Sequence, residues 1–284
     1  MKRIFVSFAD TRYIKSLERI KSETELFGFD ERYLLTEKDL PKDFFQNINP
    51  KIYRRGYGYW TWKPYVVKSM LDKMKDGDVL VYSDAGTQYH ITGKQRFEEY
   101  LLMLSVDKPF VVFQQPFLAK DWTKGDVFKY LCAEQWQVYA MQLQLWAGSF
   151  ILLKTPNTVA VVDKWLDIVK NHIDLMTDKA SEAPNLVGFQ EHRHDQSVFS
   201  ILIHQMPHTE ISWQEVEPLD GNWCEREKYP LWAKRDKKSI FWKRVGKKLT
   251  SFIMTQYLRH FKGFYIVAHG TCVIAMFIIS NRIL

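Results

Sequence analysis

Hydrophobic residues over the first 220 positions recur with two different periods. Short apolar runs such as 79–82 are typical of buried β-strands, whereas apolar residues spaced three or four apart, as in 13–27, are typical of amphipathic helices. The predicted strands are 2–8, 32–36, 79–82, 110–113 and 150–153, and the predicted helices are 13–27, 64–74, 95–104, 158–176 and 198–203. Strands that alternate with helices predict an α/β fold, a mostly parallel sheet with helices on both faces.

The end of the chain has a different pattern. Residues 226–262 contain twelve Lys and Arg and two acidic residues, which gives this stretch a net charge of +10. Residues 264–279 are apolar except for His269 and Thr271, and they are fewer than the roughly 20 that cross a bilayer. This apolar stretch is predicted either to pack on the domain as a terminal helix or to associate with a membrane. The basic residues favour the membrane, because anionic headgroups attract them.

We therefore predict a folded domain over 1–225 and a basic, amphipathic and apolar membrane-associating segment over 226–284. The 284 residues are 46% hydrophobic and include 10 Trp, 14 Tyr and 19 Phe, which excludes a disordered or fibrous chain and leaves aromatic rings for a cleft. The net charge is +7, so the residues outside 226–262 sum to −3. A nucleic-acid-binding domain more often spreads positive charge over its binding face, and we expect no nucleic-acid partner.

Two features bear on the location of the protein. The short apolar run at the N-terminus, interrupted by Asp10 and Arg12, predicts a first strand and not a signal peptide. Cys132, Cys224 and Cys272 are far apart in sequence, which predicts neither a disulfide framework nor a structural zinc site. We expect a cytoplasmic protein that is peripheral to, or tail-anchored at, the inner face of the cell membrane.

A carboxylate directly follows the apolar run 79–82. Asp84 lies at the predicted carboxyl end of a parallel strand, the edge at which α/β proteins bind ligands. Ser83 and Gly86 beside it are small enough to let phosphate groups approach the backbone. A carboxylate in this place commonly holds a divalent cation that neutralises a diphosphate, and the alternative is a turn or helix-capping residue.

Four segments, in this order along the chain, resemble the GT-A-fold glycosyltransferases, which transfer a sugar from a nucleotide-sugar. Residues 5–12 resemble the family's first strand and the loop that surrounds the nucleotide, and residues 82–86 resemble its strand-end Asp-x-Asp segment. Residues 145–150 resemble its x-x-Gly-x-Phe strand start, and residues 194–197 contain its Asp-Gln pair. Residues 56–64 also resemble a segment of bacterial surface-polysaccharide (capsule and lipopolysaccharide) transferases. The resemblance covers roughly residues 1–215. It implies a Rossmann-like GT-A fold, a hexosyltransferase-like activity, a nucleotide-sugar donor (a UDP-sugar first) and a glycan or lipid-linked acceptor.

One position departs from the family pattern. The second Asp of the Asp-x-Asp pair is Gly86 here, which leaves Asp84 as the carboxylate that would bind the metal. Either Mn²⁺ or Mg²⁺ binds through Asp84, the diphosphate and water, or a basic side chain neutralises the leaving group instead. Two further histidines, His204 and His208, follow the Asp-Gln pair but match no position of the family pattern.

Lys63 is the candidate for that basic side chain. It precedes Pro64 at a predicted helix start, where unpaired N–H groups favour phosphate, and the alternative is a solvated surface lysine. Trp60 and Trp62 share a face if this segment is extended. They are then placed to stack on a base or a sugar, and the alternative is core packing.

The resemblance also assigns roles to polar residues at other element ends. It implies that Asp195 and Gln196 hydrogen-bond sugar hydroxyls, although Asp195 is also what a helix cap looks like. Either His192 or His194 is a candidate general base, because histidine titrates near neutrality. Their spacing, without a third ligand, does not favour a metal site.

Two more positions complete the candidate site. Asp10 and Thr11 follow the first strand and either contact the uracil and ribose of a nucleotide or cap the first helix. Gly148 permits close backbone approach at a strand start, or marks a bulge. Whether transfer retains or inverts the sugar's configuration stays open, although the Asp-Gln segment resembles retaining members more.

Other functions remain as alternatives. A nucleotidyltransferase or phosphotransferase on a similar sheet is expected to have an early glycine-rich phosphate loop, and the sequence contains none. A non-catalytic membrane-associated scaffold leaves Asp84, Lys63 and Asp195 without a role. An RNA-binding protein would have to bind through its basic end alone.

Overall fold

The computed structural model describes residues 1–218 and 222–234, and the region from 235 onward lies outside the described residues. The apolar stretch 264–279 and most of the basic stretch 226–262 fall in that region. Within the described ranges the strands are β1 (Arg3–Phe8), β2 (Glu31–Leu35), β3 (Val79–Ser83), β4 (Gln88–Tyr89), β5 (Phe110–Leu118), β6 (Leu143–Leu153), β7 (Thr209–Ile211) and β8 (Leu231–Trp232). The helices are α1 (Ile14–Glu23), α2 (Lys42–Asn47), α3 (Gly56–Tyr59), α4 (Trp62–Leu71), α5 (Lys94–Leu102), α6 (Ala119–Trp122), α7 (Gly125–Cys132), α8 (Trp136–Ala140), α9 (Pro156–Asn171) and α10 (Asp195–His204).

A six-stranded sheet with the order β2-β1-β3-β6-β5-β7 forms the centre of the domain. Strand β1 is parallel to β2 and β3, and β5 is parallel to β7. Strand β6 runs antiparallel to both of its neighbours, β3 and β5. Five of the six strands therefore point in one direction, which confirms the predicted α/β fold with a mostly parallel sheet.

Apolar side chains of the sheet alternate between two cores, as the pleat of a strand requires. Ile4, Val6 and Leu80 belong to the core that α4, α9 and α10 cover. Phe5 and Val81 belong to the core on the other face, against α1 and α5. Helices therefore cover both faces of the sheet, as predicted.

The predicted elements agree with the observed ones to within a few residues at most ends. The long predicted helix 158–176 is α9 followed by a separate 3-10 turn, Ile173–Met176. It begins at Pro156, because Thr155 and Thr158 form a capping box around the first turn. Sequence periodicity missed the short helices α2, α3 and α6 to α8, the edge strand β7, the first seven residues of β6 and the small sheet in which β4 pairs with β8. In residues 1–218 and 222–234, no helix combines the length and hydropathy needed to cross a membrane.

Candidate active site

A cavity of about 650 Å³ opens where β1 and β3 end. Its walls come from the loops after these strands, from residues 54–63, from the middle of β6 and from the start of α10. Because β6 is antiparallel and pairs Ser149 with Ser83, its preceding residues extend past the end of β3 and reach the cavity. Most of the residues predicted for the site line this cavity, namely Asp10, Trp62, Lys63, Asp84, Gly86, Gly148, His194, Asp195 and Gln196.

Two predicted site residues lie elsewhere. Thr11 begins a 3-10 turn beside the cavity and is not among the residues that line it. Ser83 is fully buried, and its hydroxyl forms hydrogen bonds of 2.8 Å with the Tyr89 hydroxyl and 2.7 Å with the Ser149 hydroxyl. Ser83 therefore holds β3 to its neighbours.

Lys63 lies at the centre of the polar part of the cavity wall. Its Nζ donates to Asp195 Oδ2 at 2.5 Å and to the Ala147 carbonyl at 2.8 Å, and it lies 3.3 Å from Asp84 Oδ1. The side chain is 1% exposed, which excludes the solvated-surface alternative. The ammonium group has three donors, and these three oxygens account for all of them. We call Asp84, Lys63 and Asp195 the carboxylate–lysine array.

The charges of the array are strongly coupled. Burial opposes the charge of Lys63, but the carboxylates of Asp195 and Asp84 outweigh it and raise the lysine pKa. Burial raises the pKa of Asp195 to about 6, with Lys63 acting in the opposite direction and Asp84 adding to the rise. Tyr82 donates its hydroxyl to Asp84 Oδ1, and burial raises the Tyr82 pKa so that the phenol stays protonated. With both carboxylates ionised, the array carries a net charge of −1.

The segment before α4 forms a left-handed turn rather than an extended chain. Residues 56–60 all have positive φ, from 54° at Tyr57 to 89° at Gly58. The segment is therefore not extended, and the condition under which Trp60 and Trp62 would share one face is not met. The helix also begins at Trp62 rather than at Pro64, which occupies the third helical position, where a missing N–H breaks no helical hydrogen bond.

Both tryptophans nevertheless line the cavity. Trp62 stacks on Phe8 with ring centroids 4.0 Å apart, and its indole N–H donates to the Gly56 carbonyl at 2.9 Å. Trp60 stacks on His194 at 5.8 Å. A Cβ at Gly56 would lie 2.3 Å from the Trp60 ring, so the turn needs glycine there for space as well as for its φ of 56°. Trp62 thus serves core packing and the cavity together.

Arginines contribute to the lining of the cavity. Asp10 accepts hydrogen bonds from the backbone N–H and the guanidinium of Arg12, so it caps the 3-10 turn Thr11–Tyr13. The N-cap of α1 itself is Tyr13, not Asp10 or Thr11. The Arg12 guanidinium also lies 3.4 Å from the Arg54 carbonyl oxygen. Arg55 forms an ion pair of 2.5 Å with Glu191. The exposed side chain of Arg54 has no ion-pair partner among residues 1–218 and 222–234.

Only one of the two candidate histidines faces the cavity. His192 Nε2 bonds the Leu175 carbonyl at 2.9 Å, and burial lowers its pKa well below the usual value. His194 lines the cavity with a φ of 52°, a positive value that is rare outside glycine. Burial, with help from nearby Arg55, lowers the pKa of His194 to about 3. It is therefore neutral at pH 7 and a weak base, instead of titrating near neutrality.

Asp195 and Gln196 open α10 with their side chains fixed. Asp195 is the first residue inside the helix, the N-cap position is His194, and the Asp195 carboxylate binds Lys63, so Asp195 is not the N-cap that the alternative predicted. The Gln196 amide donates to Gln144 Oε1 at 2.7 Å. The amide of Gln144 is itself held by the hydroxyls of Thr123 and Ser197 at 3.1 and 3.3 Å. A buried polar network therefore orients this end of the helix.

The glycine on β6 makes room for a protein side chain. A Cβ at Gly148 would lie 2.2 Å from the indole nitrogen of Trp146, and both residues line the cavity. The Gly148 carbonyl accepts the Asp84 N–H at 2.7 Å, which ties β6 to the loop after β3. Gly148 lies inside β6 rather than at a strand start, and the register between β5 and β6 shifts between Phe150 and Leu145, as the bulge alternative held. The side chain that approaches Gly148 closely is Trp146.

Asp84 has limited capacity for a metal. Its Oδ1 is engaged by Lys63 and by the Tyr82 hydroxyl, which leaves Oδ2. Its side chain is 31% exposed and faces the cavity. A divalent cation there fits only if donor phosphates and water supply most of its ligands, a pattern that Mg²⁺ tolerates.

Several cavity residues carried no signal in the sequence. Arg193 lies beside His192 and His194, and only the histidines of this polar run were predicted as site residues. The central carbon of the Arg193 guanidinium lies 4.1 Å from the centroid of the Trp122 ring. Gln115 and Phe117 come from the irregular second half of β5. Tyr57 points to the cavity from the left-handed turn. No local pattern distinguishes such residues, because their place depends on how distant elements pack.

No protein-family model matches the chain, and no curated protein matches it. Three solved structures similar to it are all described as glycosyltransferases. One is a glycosyltransferase involved in the glycosylation of the major capsid of PBCV-1, at 10% identity over 82% of this chain and 94% of that chain, with a TM-score of 0.45. The second is mouse xyloside xylosyltransferase 1, at 10% identity over 84% and 95%, with a TM-score of 0.43. The third is galactosyltransferase LgtC in complex with donor and acceptor sugar analogues, at 12% identity over 80% and 83%, with a TM-score of 0.40.

Proposed function

We propose that the protein is a glycosyltransferase that moves a sugar from a nucleotide-diphosphate sugar to a glycan acceptor. The observation that carries the proposal is the carboxylate–lysine array, which lies in the wall of a cavity that Arg12, Arg54 and Arg55 also line. Buried charge of this kind is costly for a fold and is typical of sites at which charge develops during a reaction. The position of the cavity, at the carboxyl ends of β1 and β3, is where α/β sheets bind nucleotides.

Arginine side chains form the proposed site of the diphosphate. Three arginines that line the cavity supply positive charge, namely Arg12, Arg54 and Arg55. The side chain of Arg54 is exposed and can bind a phosphate group. Guanidinium groups bind phosphate oxygens in bidentate fashion. We propose that Asp84 holds a divalent cation, Mn²⁺ or Mg²⁺, through Oδ2. When bound, that cation would help neutralise the leaving diphosphate.

The array is the proposed site of the reacting sugar. Glycosyl transfer passes through an oxocarbenium-like transition state, which carboxylates stabilise when they are held in place beforehand. Asp195 supplies this charge, and Lys63 acts as a positioning residue because its Nζ is saturated by protein oxygens. Gln196, oriented by Gln144, is placed to bind a sugar hydroxyl.

The aromatic residues of the cavity are the proposed stacking surface. Tyr57 and Trp60, on the left-handed turn, line the cavity, and aromatic rings suit a base or a sugar. We propose a UDP-sugar as the donor, with the nucleotide next to the Asp10–Arg12 pair. His194 remains neutral beside them and can exchange hydrogen bonds without carrying charge.

The acceptor is proposed to be lipid-linked or part of a surface polysaccharide, at the cytoplasmic face of the membrane. The support for this comes from the sequence: the +10 charge of residues 226–262 is followed by the apolar stretch 264–279. Anionic lipid headgroups attract such a combination.

Replacing Asp84 by Asn tests the proposal, because the side chains are nearly isosteric and the change removes only charge. We expect donor turnover to fall at least about tenfold, or roughly 1.4 kcal/mol of barrier. The measurement is release of nucleoside diphosphate from a panel of UDP- and GDP-sugars, repeated with EDTA to assess metal dependence.

Binding gives a second, independent readout. UDP or GDP should raise the melting temperature of the wild-type protein more than CMP does, because the proposed site recognises a diphosphate. If none of the three raises the melting temperature and no donor is consumed, the proposal is wrong. Release of pyrophosphate from a nucleoside triphosphate would instead indicate a nucleotidyltransferase.

A further inference from the structure

A second polar cluster lies outside the cavity, where α10 ends and β7 begins. His204 is the last residue of α10, His208 lies in the connection, and Glu210 is the middle residue of β7. The potential ligand atoms of these three side chains all lie within 4.8 Å of one another. None of the three lines the cavity that contains the carboxylate–lysine array.

Hydrogen bonds to the backbone fix the orientation of both imidazole rings. His204 Nε2 lies 2.9 Å from the Leu143 carbonyl, and His208 Nδ1 lies 2.8 Å from the Met206 carbonyl. A carbonyl oxygen only accepts, so each of these nitrogens carries the ring hydrogen. In the neutral rings, His204 Nδ1 and His208 Nε2 are therefore bare lone pairs.

Both lone pairs face the same carboxylate oxygen. His204 Nδ1 lies 3.6 Å from Glu210 Oε1, and His208 Nε2 lies 2.9 Å from it. One proton on His208 would satisfy the shorter contact, but it would leave the nitrogen of His204 opposite a carboxylate with no hydrogen between them. A cation placed among the three atoms satisfies all of them at once.

The spacing suits a metal of zinc size. Ligand bonds of about 2.0–2.2 Å in tetrahedral geometry place neighbouring ligand atoms about 3.4 Å apart. The two observed separations, 2.9 and 3.6 Å, lie on either side of that value. Imidazole nitrogens together with a carboxylate suit zinc and neighbouring transition metals better than they suit Mg²⁺.

The surroundings of the cluster are also those of a metal site. Each histidine donates its second ring N–H to a backbone carbonyl, and Gln114 Nε2 donates to Glu210 Oε2 at 2.6 Å. Partners of this kind fix the orientation of metal ligands. The His204 side chain is 4% exposed while that of Glu210 is 28% exposed, so one side remains open to a water ligand.

We propose that His204, His208 and Glu210 bind a divalent transition metal, zinc first, at a site separate from the catalytic cavity. The metal would join the end of α10 to β7, and through Gln114 to β5. Because the opposite end of α10 carries Asp195, the proposed role is structural, fixing the helix that presents this residue.

The test is metal binding to the full-length protein after treatment with a chelator. Calorimetric titration with Zn²⁺ should show one site per chain, and Co²⁺ should give visible absorption bands that Zn²⁺ abolishes. Zn²⁺ should also raise the melting temperature. We expect His208→Ala and Glu210→Gln to weaken Zn²⁺ binding at least about thirtyfold and to remove the thermal shift, while His172→Ala, which changes an exposed histidine outside the cluster, leaves both unchanged.

Circular dichroism would establish that the variants fold, and the near-isosteric Glu210→Gln keeps the test valid if a histidine variant does not. Absence of saturable 1:1 binding in the wild type would overturn the proposal. The proposal would also be wrong if His208→Ala and Glu210→Gln both retained Zn²⁺ binding. It would equally be wrong if those two variants retained binding and Asp84→Asn abolished it. The last result would place the metal in the catalytic cavity.

Discussion

Lys63 keeps its charge although its side chain is almost completely buried. Two carboxylates and a carbonyl surround its ammonium group, so burial does not remove the proton. The arrangement is stable only as a unit, because the loss of one member leaves an uncompensated charge in the interior. At the scale of single residues, stability and the proposed catalysis therefore depend on the same three side chains.

Lys63→Met should destabilise the protein by about 3–5 kcal/mol, because Asp84 and Asp195 then face each other without a counter-charge. Urea denaturation gives the unfolding free energy, and donor turnover should fall in the same variant. Lys68→Met is the control on the same helix. It removes a partly exposed lysine paired with Asp72 and Asp163, and should cost less than about 1 kcal/mol. Equal losses in the two variants would contradict the central role of Lys63.

Protonation of Asp195 should make kcat/KM decrease at low pH. Its pKa is raised to about 6, so kcat/KM should fall as the pH drops below that value and the carboxylate is protonated. The stability effect has the opposite direction. A raised pKa means that the folded state binds the proton more tightly, so this contribution to stability is present below about pH 4 and is lost as the pH rises through 6.

A pH–rate profile between pH 5 and 8 checks the prediction for Asp195. Asp195→Asn should lower kcat at least about tenfold, or roughly 1.4 kcal/mol, and should not show the decrease of kcat/KM near pH 6. A wild-type profile that is flat from pH 5 to 7 would show that Asp195 does not act as a carboxylate in the reaction.

At the scale of elements, the left-handed turn 56–60 contributes Tyr57 and Trp60 to the aromatic lining of the cavity. Left-handed backbone costs roughly 1–2 kcal/mol for each residue other than glycine, and Tyr57, Tyr59 and Trp60 all adopt it. Such strain persists where surrounding contacts enforce it and is common at functional sites. Here the stacking of Trp60 on His194 and the hydrogen bond from Trp62 to Gly56 hold the turn.

Gly56→Ala should displace Trp60, because the new Cβ would lie 2.3 Å from its ring. We expect a loss of stability above the roughly 1–2 kcal/mol of a left-handed alanine, together with a higher KM for the donor. Gly77→Ala is the matched control: its φ is 87°, but nothing lies within 4 Å of the added Cβ. If thermal unfolding and donor KM change equally in both variants, Trp60 has no part in donor binding.

At the scale of the whole molecule, the residues proposed to act in the chemistry all lie before residue 218, whereas the net positive charge lies after it: residues 219–284 carry +9 and residues 1–218 carry −2. The described part continues as far as Lys234, and β8 within it pairs with β4. That catalysis and membrane association reside in separate parts of the chain therefore stays a prediction, which truncation can test.

Truncation after Lys234 keeps β8 and removes the apolar stretch and most of the basic one. The full-length protein should co-sediment with anionic vesicles, less at high salt, because the attraction between the basic stretch and the headgroups is screened. The truncated protein should lose this binding but keep its fold and its turnover of the donor. If it unfolds instead, the terminal segment belongs to the core and the membrane prediction fails.

The sequence by itself determined the positions of the main strands and helices, because the period of apolar residues is a local property of the chain. It also predicted Asp84 as a site residue, since a strand that ends in a carboxylate is visible in a few consecutive residues. Most of the site residues predicted from short motifs do line one cavity.

Only the tertiary structure decided what those residues contact. The ion pairs of Lys63, the direction of β6 and the choice of His194 over His192 all depend on contacts between elements far apart in the chain. The same holds for the metal site proposed at Glu210, whose partners on α10 and β5 come from separate parts of the sequence. Local patterns specify which element a residue belongs to, but the packing of elements sets the partners, burial and charge of its side chain, and these determine its chemistry.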